Sequence, residues 1–404
     1  MPIVSQRGQK MPPSPVRKLA PYADAAKARG VEILHLNIGQ PDLESPAAFW
    51  EAVKGCSFKT LEYGHASGLW ELREEMAAYY RSIGIDVEPS QVLVCTAGSE
   101  ALNFALTACL EPGSEVIVPE PFYANYIGFA TWFDGKVVPV PSRLEDSFAL
   151  PGTAEFERRI TPQTRAILIN NPGNPTGTVF ANGQLEELAA LCAERGLWLI
   201  SDEVYRDFNF TGRPIRSVLQ LEGLGDAGVM VDSVSKRYSL CGARVGFLVN
   251  RHSAFNDATA RLAMARLSPP TLEQIGVVAA FRNTPASYFD DVREEYRSRR
   301  DLLVERIRAI PGAVCPEIEG AFYAMVRLPI DDSDRFCQWL LEDFVYEGAS
   351  VMLAPGSGFY ATPGGGKDEV RIAYVLGRER LTRAMDALEA ALAAYPGTKV
   401  PTAQ

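Results

Sequence analysis

Two hydroxyls, a primary amine and a guanidinium fall close together where Asp232-Ser233-Val234-Ser235-Lys236 is followed by Cys241-Gly242-Ala243-Arg244-Val245-Gly246. A lysine amine becomes a nucleophile toward carbonyl groups when its charge is suppressed. An arginine offers permanent charge and forked donors that match phosphate. The combination suits a phosphate held beside a Schiff base, whereas any one lysine alone is more often a solvated loop residue. A second segment, Ser201-Asp202-Glu203-Val204-Tyr205, places a carboxylate straight after the apolar run 197–200. Such a carboxylate is partly buried and needs a cationic partner. A protonated pyridine nitrogen would serve, with Tyr205 bonding the same ligand; the plainer reading is an Asp that caps a helix. A third segment, Asn170-Asn171-Pro172-Gly173-Asn174-Pro175-Thr176-Gly177, is a turn by composition and also offers rigid amide side chains to a phenolate. A fourth, Thr96-Ala97-Gly98-Ser99-Glu100, opens a helical pattern whose first N–H groups can receive phosphate.

The elements around these segments explain how they can meet. Short β-rich runs at 92–95, 116–118, 137–140, 166–170, 197–201, 229–232 and 245–249 alternate with helical patterns such as 99–110 and 185–195. Several runs are apolar on both faces, as strands covered by helices on two sides must be. The alternation predicts an α/β fold with a largely parallel sheet. In such a sheet ligands bind outside the carboxyl ends of the strands, and the four segments sit at or just after strand ends. From about Pro285 the pattern changes to a charged amphipathic helix over 287–310, stopped by Pro311-Gly312, and then to short strands at 322–328, 350–353 and 369–375. We expect a large ligand-binding domain over 46–285 and a smaller α+β domain made of 1–45 and 286–404. The polar tail 395–404 is expected to fray.

Composition narrows the function classes. The chain has 404 residues, 47% of them hydrophobic and 22% charged, with a net charge of −10 and no basic patch, which argues against nucleic acid as a partner. No apolar stretch approaches the ~20 residues that span a bilayer, and none near the N-terminus forms a signal-peptide core. Seven scattered cysteines without a C-x-x-C pair fit a reducing cytoplasm. His35, His65 and His252 stand far apart and no H-E-x-x-H is present, so no metal site is expected. The run Gly364-Gly365-Gly366-Lys367 lacks the other residues of a P-loop and reads as a flexible loop.

Taken in order, these motifs make the chain similar to the class I/II aminotransferases among the fold-type-I enzymes that use pyridoxal 5′-phosphate (PLP), and it resembles bacterial aspartate and aromatic aminotransferases. The resemblance runs from Leu36-Asn37-Ile38-Gly39-Gln40-Pro41-Asp42 to Glu369-Val370-Arg371-Ile372-Ala373 and is most specific at 171–177, 201–205 and 233–246. It implies a mostly parallel seven-stranded sheet covered by helices, plus a smaller domain. It implies that Lys236 forms the Schiff base, that Asp202 pairs with the pyridine nitrogen, and that Asn174 and Tyr205 bond the ring oxygen. Ser233, Ser235 and Arg244 would hold the phosphate with Gly98 and Ser99. Tyr123 would stack on the ring, with Phe122 a rival for that place. Arg371 would clamp the substrate carboxylate, with Gly39 and Asn174 nearby. Tyr63, in Tyr63-Gly64-His65-Ala66-Ser67-Gly68, would reach the phosphate of a neighbouring subunit, which implies a homodimer with shared active sites.

The implied activity is transfer of an amino group from an L-amino acid to a 2-oxo acid such as 2-oxoglutarate, in ping-pong order, with Lys236 moving the proton. Aspartate is the first expected donor, followed by aromatic amino acids or alanine. A PLP-dependent carbon–sulfur lyase, or a related enzyme of the same fold that eliminates Cβ or Cγ substituents, is the alternative, because it needs Lys236 and Asp202 equally. Ala243 stands where several family members have an aromatic residue, and Ser99 where acid-selective relatives often carry lysine. Glu100 either points away from the phosphate or tunes the site. Arg261 and Arg266 are candidates for a substrate side-chain carboxylate, though such arginines are more often solvated helix residues.

Overall fold

A computed structural model describes residues 2–399. Its strands, in chain order, are β1 (Glu32–His35), β2 (Val92–Thr96), β3 (Glu115–Glu120), β4 (Lys136–Pro141), β5 (Thr164–Asn170), β6 (Trp198–Asp202), β7 (Gly228–Ser233), β8 (Val245–Val249), β9 (Tyr323–Arg327), β10 (Ala349–Met352), β11 (Ala354–Pro355) and β12 (Glu369–Ala373). Each of the seven runs expected between 92 and 249 is a strand, and all seven share one sheet in the order β2-β8-β7-β6-β5-β3-β4. Five of them, β7 to β4, run parallel, while β8 is antiparallel to both neighbours. Successive side chains of a strand point to opposite faces. Accordingly Val92, Val94, Ile117, Ile167, Leu199 and Met230 enter one core, and Leu93, Cys95, Val116, Leu168, Ile200 and Val231 enter another on the other face. Helices including Ala97–Cys109 and Asn182–Arg195 cover these faces, so strands with no polar face are stable only here.

A separate core joins the two ends of the chain. Leu19, Ala23, Ile33 and Leu34 pack with Phe322, Val351, Ile372, Leu388 and their neighbours, and β1 pairs in parallel with β10. Strands β11, β12 and β9 form a three-stranded antiparallel sheet. Helix Ala286–Ala309 buries Tyr296, Arg299, Leu303 and Ile307, a spacing of three and four that draws one stripe down the helix. It stops before Pro311-Gly312 as expected. Arg299 donates to Asp42 Oδ1 at 2.7 Å and to the Val375 carbonyl at 2.6 Å, which ties the N-terminal segment to this helix.

Two expectations need correction. The tail does not fray over 395–399: Tyr395 is buried against Phe336 and Trp339 and donates to Asp331 Oδ1 at 2.9 Å, and Lys399 N donates to the Pro329 carbonyl. Residues 400–404 lie outside the described residues. The glycine run at 364–366 is pinned rather than loose, because Ser333 bonds the Gly366 and Lys367 carbonyls and a side chain on Gly366 would strike the Gly356 backbone. Apolar packing and these bonds supply what the local composition lacks. No helix among the described residues is long and apolar enough to cross a membrane.

Candidate active site

The parallel strands end on a common edge, and that edge opens into a cleft of about 680 Å³. Asn170 ends β5, Asp202 ends β6, Ser233 ends β7, Thr96 ends β2, and Arg244 immediately precedes the antiparallel β8. All four sequence segments therefore converge because of strand direction alone. Gly39, Gly98, Ser99, Tyr123, Asn174, Asp202, Tyr205, Ser233, Ser235, Lys236, Arg244 and Arg371 all line the cleft. Tyr63 does not; it is 83% exposed on a loop elsewhere on the surface.

At one end of the cleft lie a cation and several donors. The Ser233 and Ser235 hydroxyls are 2.9 Å apart, and Ser233 Oγ lies 3.0 Å from the Val245 carbonyl. Arg244 is exposed, donates to the Cys241 carbonyl at 2.9 Å, and has no carboxylate partner among the described residues. Ala97 and Arg244 both have left-handed backbones, with φ of 66° and 55°. Such conformations persist only where the surroundings enforce them, and they gather at ligand sites. A side chain at Gly246 would come within 2.4 Å of the Ala97 carbonyl carbon and 2.6 Å of Gly98 N, so the helix start can lie against β8 only because residue 246 is glycine.

In the centre, Lys236 Nζ donates to the Gly39 carbonyl at 2.7 Å and lies 3.7 Å from Cys241 Sγ. Asp202 is 5% exposed. Its Oδ2 accepts from the Tyr126 hydroxyl at 2.9 Å, while its Oδ1 is buried with no partner. Burial pushes this carboxyl up to about 6, against the opposing pull of the Tyr126 hydrogen bond. No helix follows Asp202, so it is not a capping residue. Tyr205 is buried and its hydroxyl is 3.0 Å from that of Tyr323. Tyr123 lines the cleft, whereas Phe122 is buried and does not line it, its backbone N–H donating to the Phe359 carbonyl.

At the other end, Arg371 is 4% exposed and lies between the Tyr323 and Phe359 rings, 4.6 and 4.8 Å from their centroids. It donates to Asn174 Oδ1 at 3.0 Å and to the Asn37 carbonyl at 2.5 Å, and its Nε has no partner. Burial lowers its basicity from the ordinary range, as expected for a cation that lacks an anion. Gly39 is required here, since a β-carbon would sit 1.6 Å from the Tyr323 hydroxyl.

The sequence model of the family described as Aminotransferase class I and II matches residues 31–388. The chain belongs to the class I and II aminotransferases. The aspartate aminotransferase of Thermotoga maritima is 33% identical over 96% of this chain and 98% of that one. Aromatic-amino-acid aminotransferase 2 of Thermococcus litoralis is 31% identical with the same coverage. The structure of Thermus thermophilus aspartate aminotransferase with maleate superposes with a TM-score of 0.88 at 30% identity, covering 97% of this chain and all of that one.

For this aminotransferase, Glu100 points away from the cleft. Its Oε2 accepts from Thr96 N and from Arg266 Nη1, each at 2.7 Å, and Arg266 also donates to the Ala66 carbonyl. Arg266 is thus a strut for the 64–68 loop, and Arg261 is exposed; neither lines the cleft. His65 lies on that loop and accepts from Ser67 N, while His35 sits half-buried in β1. The sequence reading missed Tyr126, Tyr323, Phe359 and the Asn37 carbonyl. Tyr126 had one available signal, its place three residues after Tyr123. Tyr323 had none, because a hydroxyl inside the run 321–326 reads as core.

Proposed function

We propose that the cleft binds PLP and that the enzyme transfers the amino group of an L-amino acid to a 2-oxo acid in ping-pong order. The observation that carries this reading is the buried, unpaired Asp202 Oδ1 in the same cleft as the Lys236 amine. An orphaned buried acceptor is costly unless a ligand donor completes it. A protonated pyridine nitrogen is such a donor, Arg244 with Ser233, Ser235, Gly98 and Ser99 suits a phosphate, and the residues present therefore fit the cofactor. When bound, PLP supplies the electron sink that makes the substrate Cα–H acidic.

The chain's own groups do the rest. Lys236 holds the cofactor carbonyl at rest and moves the proton at the substrate Cα during turnover. Asn174 and Tyr205 take the ring oxygen, and Tyr123 supports the ring face. Arg371 holds the substrate α-carboxylate, with Gly39 and Asn174 beside it, a positioning role. Its unpartnered Nε and its arene sandwich support an anion there. Aspartate is the first donor we assign, with aromatic amino acids or alanine next. Arg17 also lines the cleft and has no carboxylate partner among the described residues, which supports a donor with a second carboxylate.

The exposed Tyr63, with Phe58, Leu61 and Trp70 also exposed nearby in the chain, supports a homodimer in which Tyr63 serves the partner's phosphate. The division into 46–285 and 1–45 with 286–404 fits the separate cores, and the seven free cysteines fit a cytoplasmic setting. The test is a visible absorbance scan of the protein with PLP and a panel of L-amino acids. We expect a band that a donor bleaches and 2-oxoglutarate restores, with one oxo acid formed per amino group moved. No band at any pH would overturn the PLP reading, and pyruvate with ammonia from a cysteine conjugate would favour the lyase.

A further inference from the structure

We propose that Tyr126 is a positioning residue: its hydroxyl holds Asp202 in one orientation and one charge state, so that a carboxylate anion, not a carboxylic acid, faces the cleft. This rests on the cofactor reading above and adds a residue to it.

Tyr126 lies at the start of helix Asn125–Trp132 and is fully buried. Its ring is packed against Phe122 and stands edge-on to Tyr123 at 5.5 Å. Its hydroxyl has one partner, Asp202 Oδ2 at 2.9 Å. A phenol here can only donate to an ionised carboxylate, so the bond favours the charged form. The surroundings otherwise favour the neutral form. Burial raises the affinity of Asp202 for a proton, and Asp232, on the adjacent strand, adds like charge. Lys236 acts with Tyr126, while Tyr123 and Tyr205 also face Asp202. A protonated Asp202 would itself be a donor and would meet the ring nitrogen without charging it. Tyr126 therefore decides which partner carries the proton. The same turn of chain delivers Tyr123 to the ring face, so one segment places both the ring and the oxygen that must meet it.

The test measures PLP affinity of the cofactor-free protein from pH 5.5 to 8.5 for wild type, Tyr126→Phe, Asp202→Asn and the double variant. Wild-type affinity should fall as Asp202 gains its proton, near pH 6. In Tyr126→Phe that midpoint should rise by about one pH unit, with Kd about twofold weaker at pH 7, about eightfold weaker at pH 5.5 and restored at pH 8.5. On the Asp202→Asn background, Tyr126→Phe should change little. Replacing Tyr126 with 3-fluorotyrosine keeps the shape, strengthens the donor, and should move the midpoint down; it also serves if Tyr126→Phe folds poorly. A loss equal at every pH and present in both backgrounds would mean that Tyr126 only packs the core. An unchanged midpoint in both Tyr126 variants would overturn the proposal as well. If wild type bound no PLP at all, the cofactor reading would fall instead.

Discussion

The floor and the roof of the cleft are built by different means. The floor, from Gly98 and Ser99 through Asn174, Asp202, Ser233 and Lys236 to Arg244, comes from consecutive strand ends of one sheet. Several of its residues are held by neighbours close in sequence, as when Asn170 accepts from Asn174 N at 2.6 Å and the Ser233 and Ser235 hydroxyls lie 2.9 Å apart. The roof, formed by Asn37, Gly39, Tyr323, Phe359 and Arg371, is assembled across the whole chain. Arg371 and Asn37 are 334 residues apart, and they meet only because β1 pairs with β10 and β12 with β9. A floor of this kind carries reactive groups whose placement survives small shifts of the second core. A roof of this kind carries binding groups whose placement depends on both ends of the chain being docked. On the proposed function, chemistry falls to the floor and substrate capture to the roof.

The largest effect should come from the floor. Lys236→Ala should lower turnover by roughly 10⁴-fold and abolish the visible band, while far-UV circular dichroism stays unchanged. Turnover at the wild-type rate would remove the lysine from the mechanism. Next is a stability effect on the same surface. Because burial raises Asp202 to about 6, the stability it contributes to the cofactor-free protein is present below about pH 4 and is lost as pH rises through 6. Asp202→Asn should therefore stabilise the cofactor-free protein by roughly 3 kcal/mol at pH 8 and by almost nothing at pH 4. Urea unfolding at the two pH values checks the sign, and a gain that is equal at both contradicts it.

The roof should respond in binding. Arg371→Lys removes the paired bonds to Asn37 and Asn174 and should cut kcat/KM by about 10²-fold, mostly through KM. A loss confined to kcat would move Arg371 into the chemistry and blur the contrast. Gly39→Ala forces Tyr323 or the 37–39 segment aside and should raise KM by about tenfold. The smallest effect is predicted for Glu100→Gln, beside the phosphate end yet turned toward Arg266. It should cost about 1 kcal/mol in urea unfolding and leave kcat/KM within about twofold. A large kinetic loss there would show that Glu100 tunes the floor after all.

Much of the floor was legible in the sequence because it is local. An apolar run predicts a buried strand, and the residue that ends the run must then stand at the ligand-binding edge. That reasoning placed Asp202, Lys236 and Asn174 without knowledge of strand order. The choice between Tyr123 and Phe122 was open, because both follow the same strand and only packing decides which one turns inward. The direction of Glu100 was open for the same reason, since its partner Arg266 lies on a helix far along the chain.

Strand positions, the α/β class, the change of pattern near Pro285 and the resemblance that names Lys236 were thus set by residue types and spacing. Those properties depend on backbone periodicity and on side chains within a few positions of one another. Strand order, the antiparallel β8, the Tyr126–Asp202 bond, the Tyr205–Tyr323 pair and the seat of Arg371 were decided by tertiary structure. Each joins groups that no local periodicity relates, and burial of the shared cores is what brings them within hydrogen-bonding distance.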